Sequence, residues 1–387
     1  MGSPQVTKKM RVVVVSERRA DYSRFKPILS LMRSDPFFDY RLIVTGISLL
    51  KEYGEDILQI QRDGFKIAAT IPMYREKAPD TGAEMTRAYS RIMTGLANTF
   101  ENLKPDLVLT GFDIGANFTA AVVGAHMNIP VGHIQGGEVT GSIDESLRHA
   151  MSKFAHIHFP ATKDAARRLR RMGENPRFIF VVGCPSIDVL LQAPAMTRRE
   201  VIALLGFPRD EPYLLIVQHP VTTEVNETKW QISELLKAVR ETRMQSIVLY
   251  PNNDAGTSAI VSGIKDSPIR HVKSFPPEIF ANVMRYSAAF VGNASTGIHE
   301  TATFHVPTVN IGTRQQGRER AKNVIDVNYD KESIIQGIRK AIYDEGFKQM
   351  IKKIKNPYGD GHSAFRILNI LKKLDLKSVP LQKRFID

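Results

Sequence analysis

Asp144, Glu145, Arg148 and His149 crowd one short stretch, SIDESLRHA, and Glu138 precedes them on a glycine-framed approach, HIQGGEVTG. Carboxylates held beside a guanidinium suit proton transfer, because unequal surroundings let one group act as acid and another as base. Asp144 and Arg148 stand four residues apart, so they share one helix face and read either as acid/base machinery or as a helix-surface ion pair. Glu145 has a structural reading as well, since it follows Ser142 by three positions as in a capping box. Asp113, in LTGFDIGANF, comes directly after an apolar run and is either a functional carboxylate or a turn former.

The second half carries groups suited to an anion. VGNASTGIHE brings Ser295, Thr296 and Gly297 to a helix start, where hydroxyl and amide donors fit a diphosphate. Glu300 lies about one turn further and can accept the two hydroxyls of a ribose. Arg314, in NIGTRQQGRE, can approach the same anion, and His219, in QHPVTTE, is either a contact to it or a hydrogen-bonded wall residue. His299 reads as wall packing. In the first half, SERRADYS places Arg18, Arg19 and Ser23 at another helix start, where guanidinium groups and amides can hold phosphate. There is no GxGxxG, so no dinucleotide fingerprint is present.

Those residues sit at turns because apolar runs and amphipathic stretches alternate along the chain. Arg11–Ser16, Arg41–Thr45, Leu107–Gly111 and Val131–Ile134 read as buried parallel strands, with helices at Ser23–Arg33, Ala83–Leu103 and Phe118–Met127. A second set runs through Tyr213–Val217, Ser246–Tyr250, Ala288–Gly292 and Thr308–Ile311. The predicted class is α/β, with two doubly wound parallel sheets and a ligand in the cleft beyond their strand ends. The expected division is a flexible leader over 1–9, a first domain over 10–190, a second over 191–362, and over 363–387 a last helix that returns to the first, followed by a tail.

The chain has 387 residues, enough for two cores at roughly 100–200 residues each. A net charge of +13 favours anionic partners, although its basic clusters also read as solvated helix faces, and no nucleic-acid-binding motif accompanies them. The lone cysteine, Cys184, excludes an intramolecular disulfide and a multi-cysteine zinc site. No apolar run reaches the ~20 residues of a membrane span and no secretory signal is recognisable, so the expectation is a cytoplasmic protein without membrane or nucleic-acid partners.

These motifs together resemble the UDP-N-acetylglucosamine 2-epimerase family, in its hydrolysing branch. The resemblance rests on RADYS, GGEVTGSIDESLRHA, GCPSID, QHPVTTE, PNNDAG, GTRQQGRE and NPYGDG, in order over nearly the whole chain. It implies a GT-B-like fold of two Rossmann-like domains. It also implies a UDP- or GDP-linked N-acetylamino sugar as substrate, no metal or redox cofactor, and a homodimer or homotetramer. Nucleotide and sugar would meet Arg19, Ser23, Gln135, His219, Asn252, Ser295, Thr296, Gly297, Glu300 and Arg314. Catalysis would fall to Asp113, Glu138, Asp144, Arg148 and His219. The implied reaction eliminates the nucleoside diphosphate to a 2-acetamidoglucal, then adds water to give a free N-acetylmannosamine-type sugar for sialic-acid-type synthesis. Ile114 stands where relatives often have arginine, and Gln135 where some have an acidic residue. A non-hydrolysing epimerase, a GT-B glycosyltransferase and a non-catalytic nucleotide-sugar sensor are the alternatives.

Overall fold

The computed structural model describes residues 9–51, 56–112 and 115–387. The expected leader falls outside these residues except for Lys9, and Asp113 falls outside them too. Six parallel strands form the first sheet: β1 (Met10–Ser16), β2 (Phe38–Thr45), β3 (Ile67–Ile71), β4 (Leu107–Gly111), β5 (Val131–Ile134) and β6 (Ile157–Phe159). Their order is β3-β2-β1-β4-β5-β6. The second sheet holds β7 (Tyr213–Val217), β8 (Gln245–Leu249), β9 (Arg270–Val272), β10 (Ala289–Gly292), β11 (Thr308–Ile311) and β12 (Val324–Val327). Its order, β12-β11-β10-β7-β8-β9, is the same topology repeated. Both are doubly wound Rossmann-like sheets, and together they give the GT-B-like α/β architecture with a cleft at the strand ends.

Helices cover both faces of each sheet, so the central strands are largely enclosed and mostly apolar. Val12 and Val14 pack with Phe25, Ile28 and Leu29 of α1 (Arg19–Ser34), while Val13 and Val15 pack with Ile92 and Leu96 of α3 (Gly82–Leu103). Between these helices comes α2 (Asp56–Arg62), and α4 (Gly115–His126) follows β4. Among the described residues no helix is long and apolar enough to cross a membrane.

The helix α5 (Asp144–Phe154) follows β5, α6 (Lys163–Arg171) follows β6, and α7 (Pro185–Gln192) bridges toward the second half. The final helix, numbered α8 here (Ser363–Lys373), places Ile367, Leu368 and Leu371 in the core beside α1. Its N-terminus is held from a distance. His362, the residue before it, makes no side-chain cap. Buried Asp188 of α7 instead accepts from the Ser363 and Ala364 amides, at 3.0 and 2.7 Å. A carboxylate at helix-start amides satisfies orphan donors and faces the positive end of the dipole. Replacing Asp188 by alanine should therefore cost about 1–3 kcal/mol, with asparagine costing less, because buried amides lose their acceptor. Denaturant unfolding of both variants checks this ranking.

Candidate active site

The turn after β5 must bend sharply to bring its carboxylates to the cleft. Gln135 has φ 60° and Gly137 φ 82°, and a Cβ at Gly137 would run into the Ala165 carbonyl, so only glycine fits. Further on, the Gly141 amide donates to the Arg314 carbonyl at 3.0 Å, and a Cβ there would overlap the Thr313 carbonyl. The two halves touch backbone to backbone at this point.

Glu138 is the centre of the contact between them. It is buried, and its Oε2 meets His299 Nε2 at 3.0 Å and Arg318 at 3.2 Å, both from the second half. Its Oε1 accepts from Gln135 Nε2 at 3.0 Å, and its main-chain carbonyl accepts from Arg148 Nη1 at 2.9 Å. Burial alone would raise the Glu138 carboxyl, but His299, Arg318 and Arg148 outweigh it and hold the group well below the usual carboxylate range. Burial pushes His299 down to about 4, against the pull of Glu138. At neutral pH the arrangement is an ionised Glu138 accepting from a neutral His299 and a charged Arg318. Tyr358 packs its ring 4.2 Å from the His299 ring, and Asn356 donates to the His299 carbonyl at 2.7 Å. NPYGDG thus supports this clasp from behind.

Asp144 approaches from the same turn. Arg314 Nη2 donates to its Oδ2 at 3.4 Å, across the cleft, and Arg314 Nη1 is directed at the Asn293 carbonyl. Arg148, one turn on, is almost completely buried, which excludes a solvent-exposed helix-face pair. The expected capping box is absent: the N-cap position is Ile143, and Glu145 Oε2 accepts instead from the Thr140 amide at 2.6 Å. The capping carboxylate has moved its bond outward, which fixes the loop rather than Ser142.

One cavity of about 250 Å³ lies between the halves. Of the expected contacts it is lined by Arg19, Ser23, Asp144, His219, Asn252, Ser295, Thr296, Glu300 and Arg314. Gln135, Glu138, Arg148 and Gly297 are not among its lining residues. Gln135, Glu138 and Arg148 take part in the buried contacts above. Gly297 is instead a packing site, since a Cβ there would press Phe290 at 3.0 Å and Thr308 at 2.8 Å. The helix it was expected to open is a single turn, Thr296–His299, continued by a tighter turn over Thr301–Phe304. Its dipole is correspondingly small, and side chains must supply most of the positive field.

They do so. The lining includes Arg18, Arg19, Arg24, Lys273, Arg314 and Arg318, against Asp144, Asp254 and Glu300. That excess of cations is suited to a diphosphate. Arg19 is aimed by Asp56, to which its Nε donates at 2.8 Å, and by Ser274 of the other half. Arg24 Nη2 reaches Ser295 Oγ at 3.4 Å and lies over the Phe112 ring. His219 Nδ1 accepts from the Asn252 amide at 3.3 Å, which leaves the proton on Nε2. Burial first, then Arg314 and Arg18, lower its pKa well below the ordinary histidine value, so it enters as a neutral N–H donor. Arg24, Lys273 and Arg318 were missed as contacts by sequence reasoning. Arg318 stands inside GTRQQGRE and was legible there, whereas Lys273 follows a strand too short to recognise.

Comparison with known proteins agrees with this architecture. A UDP-N-acetylglucosamine 2-epimerase family profile matches residues 31–372. A Legionella pneumophila protein named UDP-N,N'-diacetylbacillosamine 2-epimerase (hydrolyzing) is 36% identical, covering 96% of this chain and 98% of its own. A Campylobacter jejuni protein named GDP/UDP-N,N'-diacetylbacillosamine 2-epimerase (hydrolyzing) is 30% identical, covering 98% and 99%. The fold also matches the solved structure of a Neisseria meningitidis UDP-GlcNAc 2-epimerase bound to UDP-GlcNAc, with TM-score 0.78, 18% identity, and coverage of 94% of this chain and all of that one. With its repeated sheets, its cationic cleft and a profile match over most of its length, this chain belongs to the UDP-N-acetylglucosamine 2-epimerase family.

Proposed function

We propose that this protein is a hydrolysing 2-epimerase of a nucleoside-diphosphate-linked 2-acetamido sugar, releasing the free carbon-2 epimer and the nucleoside diphosphate. One observation carries the reading: six cationic side chains and a neutral histidine surround a cavity that also presents Asp144. A diphosphate leaving group needs the first set, and abstraction of a carbon-bound proton needs a carboxylate. The names of the 36% and 30% identical relatives support hydrolysis and a diacetamido sugar of the bacillosamine type. UDP-N-acetylglucosamine, giving N-acetylmannosamine for sialic-acid-type synthesis, is the other substrate within this reading.

Two steps account for the product. First the carbon 1–oxygen bond to the diphosphate breaks, its electron pair leaving with oxygen, while the carbon 2 hydrogen departs as a proton and a carbon 1–carbon 2 double bond forms. Then water adds its hydroxyl to carbon 1, and a proton returns to carbon 2 on the opposite face. Arg19, Arg314 and the Nε2–H of His219 take up charge on the departing diphosphate, as preorganised donors do where charge develops. Glu300 receives the ribose hydroxyls, and Ser23, Asn252, Ser295 and Thr296 complete the nucleotide contacts. Asp144 transfers a proton at the sugar, with Asp113 as the second carboxyl group. Glu138 and Arg148 serve the reaction by holding the turn and the two halves in register.

Incubation with UDP- and GDP-linked amino sugars in deuterated water, followed by NMR, tests the reading. The expected product is a free sugar, inverted at carbon 2 and carrying one solvent deuterium there, formed without any acceptor. An epimer still attached to its nucleotide would identify a non-hydrolysing enzyme, and turnover only with an acceptor would identify a transferase.

Asp144→Asn separates chemistry from binding. Turnover should fall about a hundred-fold or more, the scale of positioned acid/base groups, while calorimetric affinity for the nucleoside diphosphate stays within a few-fold. Near-normal turnover would return Asp144 to a purely structural role.

A further inference from the structure

The segment that follows α8 turns back along the first half, and its contacts converge on one end of α5. Lys383 Nζ donates to the main-chain carbonyls of Ser152 at 2.9 Å, Lys153 at 3.0 Å and Ala155. The same ammonium pairs with Glu174, whose enclosed carboxylate also meets His158 at 2.9 Å and Lys153 at 2.8 Å. Carbonyls at a helix C-terminus have no partner within the helix, and a cation there gains both hydrogen bonds and the dipole. The rest of the segment is anchored on either side of Lys383. His156 Nε2 donates to the Leu381 carbonyl at 3.1 Å, the Ile386 amide donates to the Gly173 carbonyl at 3.1 Å, and the Phe385 ring covers Gly173.

The opposite end of α5 begins with Asp144. Between the two ends the helix is tied to both neighbouring turns. Ser152 Oγ is 3.1 Å from the Arg148 carbonyl and 3.1 Å from His133 Nδ1, and His133 Nε2 lies 3.2 Å from the carbonyl of Phe112, the residue before Asp113. A helix of 11 residues moves as a short rod, so an error at one end reaches the other.

We propose that Lys383 is a positioning residue for the reaction: its ammonium, seated on the C-terminal carbonyls of α5 and on Glu174, fixes the helix whose first residue is Asp144. The inference rests on the role given to Asp144 in the proposed function and extends it to a segment that does not line the cleft.

Lys383→Met and Lys383→Arg test it in the full chain, with three readouts: hydrogen exchange of the α5 amides, calorimetric affinity for UDP, and separate kcat and KM. Methionine should speed α5 exchange and lower kcat, each about tenfold, with UDP affinity within about twofold, because the nucleotide contacts lie elsewhere. Arginine should restore both. A lysine that only stabilises the fold would lower the melting temperature and leave kcat per folded molecule unchanged, and that result overturns the proposal. Should Lys383→Met fail to fold, Phe385→Ala loosens the segment while keeping the ammonium. Faster α5 exchange with undiminished kcat in that variant overturns the proposal too, and a parallel loss supports it. Failure of the unsubstituted chain to release free sugar counts against the proposed function, whereas release that survives Lys383→Met undiminished counts against this inference alone.

Discussion

A buried carboxylate at the junction of the two halves cannot stand without cations, and Glu138 recruits both of its charged or polar partners on that side from the other sheet. His299 and Arg318 meet one of its oxygens, while Gln135 holds the other. Desolvated charge is costly when unpaired, and removing one partner of such a group typically costs about 3–5 kcal/mol. The contact is therefore strongly favoured only when the halves are in this register. Other features accompany it: the Gly141 amide reaches the Arg314 carbonyl, Arg314 reaches Asp144, and the cationic cavity lies between the halves.

The same constraint sorts the ionisable residues of the SIDESLRHA region into two kinds. Glu138, Arg148 and Glu145 each make contacts that hold the fold, through His299 and Arg318, the Glu138 carbonyl and the Thr140 amide respectively. Asp144 keeps a face on the cavity. A cluster that looks like redundant acid/base chemistry is largely the framework that presents one carboxylate. Short helical geometry at Thr296–His299 contributes little dipole, so arginines from two separate segments and Lys273 supply the field.

How much of this was legible in the sequence depends on burial. The eight expected strands are the eight interior strands of the two sheets, and the four not anticipated, β3, β6, β9 and β12, are the four sheet edges. Interior strands of a doubly covered parallel sheet are near-continuous apolar runs, which marks them plainly. Edge strands are short or half exposed, as in the IAATI of β3 and the three-residue RHV of β9, and lose that signature. Nine of the site residues expected from the motifs line the cavity. The motifs do not tell whether a polar group near a cleft faces the cleft or the opposite domain, so the buried contacts of Glu138 and Gln135 emerge only from the structure. His299 was passed over as wall packing for the same reason: its partner lies 161 positions away.

In the proposed function Glu138 holds the two halves together and does not move protons. Steady-state kinetics of Glu138→Gln with carbon 2 deuterium incorporation, set beside small-angle scattering, tests it most directly. Weakening closure lowers the competent fraction, so KM should rise about tenfold or more, scattering should report a more extended particle, and saturating substrate should recover most of the exchange. Loss of carbon 2 exchange at saturation, with unchanged KM and unchanged dimensions, would make Glu138 a proton-transfer group and contradict the account.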